Sequence, residues 1–112
     1  MNYIKNLYVI TPFKGNDIER LKTTIFSLKK LKVGFSINHL VIHYNSKFEI
    51  IEKIKSFKKT KTYNLIPIVI KKPGIYFAIN QGLDYLRNDE SYIVLGSGDI
   101  LELENNKKIC LL

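Results

Sequence analysis

The feature that most constrains the fold is a regular alternation between short apolar runs and longer stretches with helical spacing. The apolar runs, which are rich in β-branched residues, predict four strands: Leu7 to Ile10, Leu40 to Ile42, Leu65 to Ile70 and Tyr92 to Leu95. Between them, apolar residues recur three and four positions apart, as in amphipathic helices. The order β-α-β-α-β-α-β predicts an α/β domain whose mostly parallel sheet has right-handed crossovers and helices on both faces, in three α/β/α layers.

The predicted helices begin and end at residues that favour helix termini. Asp17 is a good N-cap for the first helix, which we expect to end before Gly34. Ser46 is expected to cap the second helix in the same way. Pro73 and Gly74 are expected to open the third helix.

Two of the predicted strands carry further information about the sheet. Pro67 has no N–H group to donate, so the third strand must lie near an edge or an irregularity. The continuous apolar run Tyr92 to Leu95 is typical of a strand buried on both faces of a parallel sheet. Beyond it, Ile100 to Leu103 could begin another short strand or a turn.

The composition is typical of a single globular domain. With 112 residues, of which 46% are hydrophobic, the chain is long enough for one core and too apolar for a disordered segment. Cys110 is the only cysteine, which excludes a disulfide framework or a cysteine zinc site within one copy and indicates an intracellular protein. No apolar run approaches the ~18 residues needed to span a bilayer. We therefore expect a cytoplasmic domain.

The net charge of +8 restricts the possible partners of the domain. Much of it comes from lysines in two stretches, Lys22 to Lys32 and Lys53 to Lys61, on or just beyond predicted helices. Solvated helix faces and helix C-termini favour such charges, which is the preferred interpretation; a peripheral contact with a membrane is the alternative. Nucleic-acid binding is not expected, because the aromatic residues fall at predicted core or strand positions instead of interleaving with lysines.

We expect three loops at the carboxyl ends of the strands, where open α/β sheets bind their ligands. They are Thr11 to Asn16, His43 to Lys47 and Gly96 to Asp99. The first contains a single glycine, Gly15, which excludes the glycine-rich phosphate loops of dinucleotide-binding folds and P-loop enzymes. Asp99 supplies a carboxylate after the fourth strand, where it is either a site residue or a turn residue that hydrogen-bonds its own backbone.

These segments resemble the family 2 glycosyltransferases of the GT-A fold over nearly all of residues 6 to 101. The family's opening strand, nucleotide loop and helix resemble LYVITPFKGNDIERLKTTIFSL, and its second strand with the following loop resembles HLVIHYNS. Its signature helix is similar to KKPGIYFAINQGLDYL, the most specific of the matching segments. The strand that ends in its metal-binding acidic region is similar to YIVLGSGDIL.

The resemblance implies an inverting transfer of a sugar from a nucleotide-sugar donor to a polysaccharide or lipid-linked acceptor, with Mg²⁺ or Mn²⁺ on the diphosphate. It assigns Asp99 to the metal, because a hard divalent cation prefers carboxylate and phosphate oxygens. The residues that it assigns to nucleotide-sugar binding are Thr11, Pro12, Phe13, His43, Tyr76 and Asn80.

Residues 1–112 are thus expected to form one donor domain, in which the family's C-terminal acceptor half is absent. That half carries the catalytic base, so no catalytic residue is assigned. The enzyme would work in the cytoplasm, with a peripheral contact at the inner face of the membrane, where lipid-linked acceptors lie. The alternative is a truncated, catalytically inactive remnant that acts at most as a nucleotide-binding or interaction domain.

Overall fold

The computed structural model describes residues 6–14, 17–31, 33–44, 46–57, 60–87, 90–104 and 108–111. The strands are β1 (Asn6–Lys14), β2 (Ser36–Tyr44), β3 (Tyr63–Val69), β4 (Ser91–Val94), β5 (Leu101–Glu104) and β6 (Lys108–Leu111). The helices are α1 (Ile18–Lys29), α2 (Phe48–Ser56) and α3 (Ile75–Leu83). None of the helices in these ranges is long and apolar enough to cross a membrane.

The main sheet has four parallel strands in the order β3-β2-β1-β4, which confirms the predicted α/β class. β5 and β6 form a separate antiparallel pair, so of the two alternatives left open for Ile100 to Leu103, a short strand or a turn, the strand is present. From β1 the chain moves outward to β2 and β3, and then returns to the other side of β1 for β4. The strand order therefore reverses beside β1.

Two core clusters fill the interior, and they draw on alternate positions of the strands. In β1, Val9 and Phe13 belong to the first cluster and Ile10 to the second, as the alternation of side chains along a strand requires. α1 and α2 contribute to the first cluster, for example through Ile25 and Ile54, whereas α3 contributes to the second. Right-handed crossovers produce this division when the chain reverses its direction across the sheet.

β1 and β2 are longer than the sequence predicts. The prediction that Thr11 to Lys14 and His43 to Tyr44 belong to loops is wrong. They are strand residues, and the paired register continues to Phe13 opposite His43 and Lys14 opposite Tyr44. The neighbouring strand supplies hydrogen-bond partners for the backbone N–H and C=O groups of these residues. A local sequence pattern cannot reveal such partners, because they are distant in the chain.

Pro12 lies inside β1 and explains where β4 ends. Leu95 N donates to Ile10 O over 3.0 Å, which places the even-numbered residues of β1 on the β4 side. By the same pattern Leu95 O would next accept a hydrogen bond from residue 12, and proline has no N–H group to donate. The pairing of β4 therefore stops at Val94, and the chain turns away after Leu95.

The edge position predicted for the strand with Pro67 is confirmed, because β3 is the outer strand. Ile37 N donates to Thr62 O and Ile70 N donates to His43 O, so the even-numbered residues of this segment bond to β2. Pro67 has an odd number, and its nitrogen faces the open edge, where a missing donor leaves no partner unpaired.

The burial predicted for both faces of the fourth strand is wrong. Tyr92 and Val94 are exposed, whereas Leu95 is buried in the first cluster. β4 is the second edge of the sheet, and α3 packs mainly on β1 and β2. The face of β4 that carries Tyr92 and Val94 is therefore not covered by a described helix.

The helix termini agree with the sequence in two of three cases. Asp17 caps α1, since its Oδ1 accepts a hydrogen bond from Arg20 N over 3.1 Å, and α3 begins immediately after Gly74. The predicted Ser46 cap is wrong. Lys47 is the N-cap of α2 and makes no side-chain cap, because the helix begins one residue later than a Ser46 cap requires.

Candidate functional site

The reversal of strand order beside β1 defines the candidate site. In open α/β sheets, ligands bind outside the carboxyl ends of the strands at the point where the order reverses. Here that point lies between β1 and β4. The elements that meet there are the end of β1 at Lys14, the start of α1 with Asp17, and the turn 96–99 that follows β4.

The turn 96–99 is closed by its own hydrogen bonds. Asp99 Oδ2 accepts from Gly96 N over 2.8 Å, and Asp99 N donates to Gly96 O over 3.0 Å. Gly98 has a φ of 98°, which side chains other than glycine rarely tolerate. Asp99 is thus a turn residue that hydrogen-bonds its own backbone, which is one of the two roles that the sequence leaves open for it. Its side chain is also exposed, and a carboxylate can accept further hydrogen bonds.

Thr24, in the middle of α1, holds this turn in place. Its Oγ1 lies 2.8 Å from Asp99 O and 3.3 Å from Gly96 O, and it accepts a hydrogen bond from Gly98 N over 2.9 Å. The side chain is fully buried. A single hydroxyl group therefore fixes the position of the Asp99 turn relative to α1.

Arg20 brings a positive charge to the same place. A Cβ atom at position 98 would lie 3.1 Å from Arg20 Nε and 3.5 Å from its Nη2, so the guanidinium group lies against Gly98. Arg20 is exposed and is one of only two arginines in the chain. A guanidinium group beside a helix N-terminus is an arrangement suited to phosphate oxygens.

Sequence reasoning did not single out Arg20 or Thr24, although each carries a recognisable signal. Arg20 is a rare arginine among sixteen lysines, one turn into the first helix. Thr24 is a polar residue on the buried stripe that also contains Leu21, Ile25 and Leu28. A hydroxyl group on an apolar helix face needs a polar partner in the core, and here the partner is the turn 96–99.

Of the residues assigned to nucleotide binding, Thr11, Phe13 and His43 are buried. Thr11 is fully buried, with its Oγ1 2.7 Å from His39 Nε2, and Phe13 belongs to the first core cluster. Pro12, between them, is half-buried. In this structure Thr11 and Phe13 support the end of β1 from within the core, and their contact with a ligand stays a prediction.

The other three lie on β2 and α3. His43 is buried at the end of β2, where burial and the nearby charge of Lys55 lower its pKa. Tyr76 and Asn80 lie on the exposed side of α3, one helical turn apart. The described hydrogen bonds join the Asp99 turn to α1, and none of them joins it to α3.

A buried polar chain lies beneath the site. His39 is fully buried, with Nε2 2.7 Å from Thr11 Oγ1 and Nδ1 2.7 Å from the Tyr63 hydroxyl. Burial lowers the pKa of His39 to about 3 and raises the pKa of Tyr63, so both are neutral near pH 7. One ring nitrogen carries the proton, and therefore one hydroxyl donates to the ring and the other accepts from it. These three hydrogen-bonded side chains link β1, β2 and β3 and are buried from solvent.

Among the described residues, no group of three or more His, Cys, Asp or Glu stands together in the manner of a metal site. Asp99 is a single exposed carboxylate after β4. Such a donor fits a divalent cation only when phosphate oxygens of a ligand and water supply most of the coordination sphere. The residues present would thus suit a metal that arrives with a diphosphate.

Comparison of the chain with protein-family models and with curated proteins finds no match.

Proposed function

We propose that the chain is the donor-binding part of a family 2 glycosyltransferase, with the three-layer α/β/α arrangement of the GT-A fold. It would bind a nucleotide sugar for transfer to a polysaccharide or lipid-linked acceptor, in the cytoplasm and at the inner face of the membrane. The observation that carries this proposal is the reversal of strand order beside β1, with Arg20 and the Asp99 turn at the resulting crevice.

The proposed roles follow from the charges at the crevice. Arg20 and the start of α1 contact the diphosphate, because a guanidinium group and helix N–H groups both bind phosphate oxygens. Asp99 contributes one ligand to Mg²⁺ or Mn²⁺, which neutralises charge on the leaving nucleoside diphosphate when it is bound. Tyr76 and Asn80 reach the donor from α3. No residue is assigned as the catalytic base.

The second candidate is a catalytically inactive remnant that serves as an interaction domain. One observation favours it: Asp99 Oδ2 already accepts a hydrogen bond from Gly96 N, and Thr24 holds the same turn, which is a sufficient structural role for the segment. In that version the turn stabilises the end of β4 and needs no ligand.

A nucleotide titration distinguishes the two candidates. We expect one of UDP, GDP, CMP and dTDP to bind in calorimetry, more tightly with Mn²⁺ than without. Asp99→Asn should weaken this binding, and Arg20→Gln should weaken it by about 10-fold or more, the usual cost of losing a charged hydrogen bond.

Arg87→Gln is the matched control, because it removes the other arginine of the chain, which is exposed just beyond α3. It should leave the affinity unchanged. If the folded chain binds none of the four nucleotides with or without Mn²⁺, the remnant is the better description.

A further inference from the structure

Four large apolar side chains are exposed along one rim of the sheet. Phe48, Val69, Ile75 and Tyr76 are 72%, 66%, 59% and 80% exposed. Phe48 is the first residue of α2, Val69 is the last of β3, and Ile75 and Tyr76 begin α3. Helices that follow parallel strands start at the carboxyl edge of the sheet, so all four residues belong to that edge.

These residues lie on the half of the edge formed by β2 and β3, away from the reversal point between β1 and β4. β2 and β3 are paired to their ends, with His43 opposite Val69, and Ile70 N donates to His43 O over 3.0 Å. The exposed segment 71–74 continues directly from β3 into α3. The two helix starts therefore flank the joined strand ends.

Exposed lysines accompany the apolar side chains. Lys71 and Lys72 stand between Val69 and Ile75, and Lys47 precedes Phe48. Glu49 is the acidic residue next to them, so basic charge is in excess. We name the surface formed by Phe48, Val69, Lys71, Lys72, Ile75 and Tyr76 the β2–β3 rim.

We propose that the β2–β3 rim binds the surface of a membrane that contains anionic lipids. Its apolar side chains would enter the headgroup region, and Lys71 and Lys72 would pair with lipid phosphates. Separate apolar side chains interleaved with lysines suit a fluid, negatively charged surface. The buried centre of a protein interface is depleted in lysine, which argues against a protein partner.

The proposal assigns a definite surface to the membrane contact of the proposed function, and it requires no nucleotide. It also differs from a contact through the lysines on α1 and α2, because it uses apolar residues at the end of β3 and at the starts of α2 and α3. Tyr76 is the one rim residue that is also proposed to reach the donor, so the rim variants leave it unchanged. The rim can then fail in a vesicle assay and the nucleotide site in a titration without lipid.

Flotation with lipid vesicles tests the proposal. We expect the protein to float with vesicles of phosphatidylcholine that contain about 30% phosphatidylserine, and not with phosphatidylcholine alone. Lys71→Glu/Lys72→Glu should lower the partition coefficient about 10-fold or more, since each basic residue near an anionic surface adds favourable energy. Phe48→Ser/Ile75→Ser should lower it by a similar factor through lost apolar insertion.

Lys30→Glu/Lys61→Glu is the matched control, with the same change of charge at two exposed lysines near the amino ends of the strands. It should retain more than half of the binding. Equal losses in the control and the rim variants would overturn the proposal in favour of diffuse charge attraction. So would a failure of the folded protein to float with anionic vesicles, or self-association that the rim variants abolish without any binding to vesicles.

Discussion

At the scale of single residues, two buried polar groups organise the region around the candidate site. Thr24 ties the turn 96–99 to α1, and His39 links β1 to β3 through the hydroxyls of Thr11 and Tyr63. Both are polar groups that burial would make unfavourable without partners. The sequence shows that they are polar residues among apolar ones, whereas their partners are distant in the chain and become visible only in the fold.

Replacing Thr24 with valine should destabilise the protein and loosen the Asp99 turn. Valine keeps the shape of threonine but removes the oxygen that accepts from Gly98 N, so we expect a loss of about 1–3 kcal/mol in the free energy of unfolding. Thr23→Val is the control at the next residue, which is exposed and bonds only within its own helix. Urea unfolding measures both, and equal midpoints for the two variants would contradict this role of Thr24.

The buried histidine makes stability depend on pH in a defined direction. Burial holds the pKa of His39 at about 3 in the fold, against about 6.5 in the unfolded chain, so below pH 6.5 only the unfolded chain takes up the proton. The stabilisation is complete above pH 6.5 and is lost as the pH falls toward 3. Lowering the pH from 7.5 to 5 should therefore reduce the free energy of unfolding by about 2 kcal/mol through this single group.

His39→Gln tests the assignment, because glutamine can bond both hydroxyls but does not titrate. The comparison is the change in the free energy of unfolding between the two pH values, measured for each protein with urea. The variant should retain only the smaller dependence due to other groups such as His43, whose pKa burial also lowers. An identical pH dependence in both proteins would show that His39 does not cause it.

At the scale of the elements, the sequence predicts what local patterns determine. The alternation of strands and helices, the Asp17 cap and the edge position of Pro67 all depend on residues close in the chain, and all three agree with the structure. The sequence predicts the ends of β1 and β2 too early, because these ends depend on a partner strand. The burial of β4 depends on which helix covers it, and an apolar run cannot show that.

The packing of α3 on the sheet requires a residue without a side chain at position 82. A Cβ atom there would lie 2.8 Å from Ile10 Cγ2 and 3.1 Å from Ile10 Cδ1, so α3 would have to move away from β1. We expect Gly82→Ala to lower the free energy of unfolding by about 1–3 kcal/mol, although alanine favours a helix.

Gly34→Ala provides the comparison, because that position opens into free space and lies outside the helices. It should change the free energy of unfolding by less than about 0.5 kcal/mol. A Gly82→Ala variant as stable as the original protein in urea would show that α3 does not approach β1 as closely as described.

At the scale of the whole molecule, the order β3-β2-β1-β4 is the feature that brings the parts of the candidate site together. The sequence predicts repeated βα units but not the return of β4 to the side of β1. Pro12 ends the pairing of β4, the chain turns at Gly96 to Asp99, and Thr24 and Arg20 meet that turn from α1. The candidate crevice is therefore built by β1 and α1, which follow each other in the sequence, and by a turn that is distant from both.

The most direct test of this account is to follow the backbone amide signals of the protein by NMR during titration with a nucleoside diphosphate and Mg²⁺. The largest shifts should occur at Arg20, Gly96 and Gly98, and Asp99→Asn should reduce them. The absence of shifts, or shifts centred on α2 and the β2–β3 rim, would contradict a diphosphate site between β1 and β4.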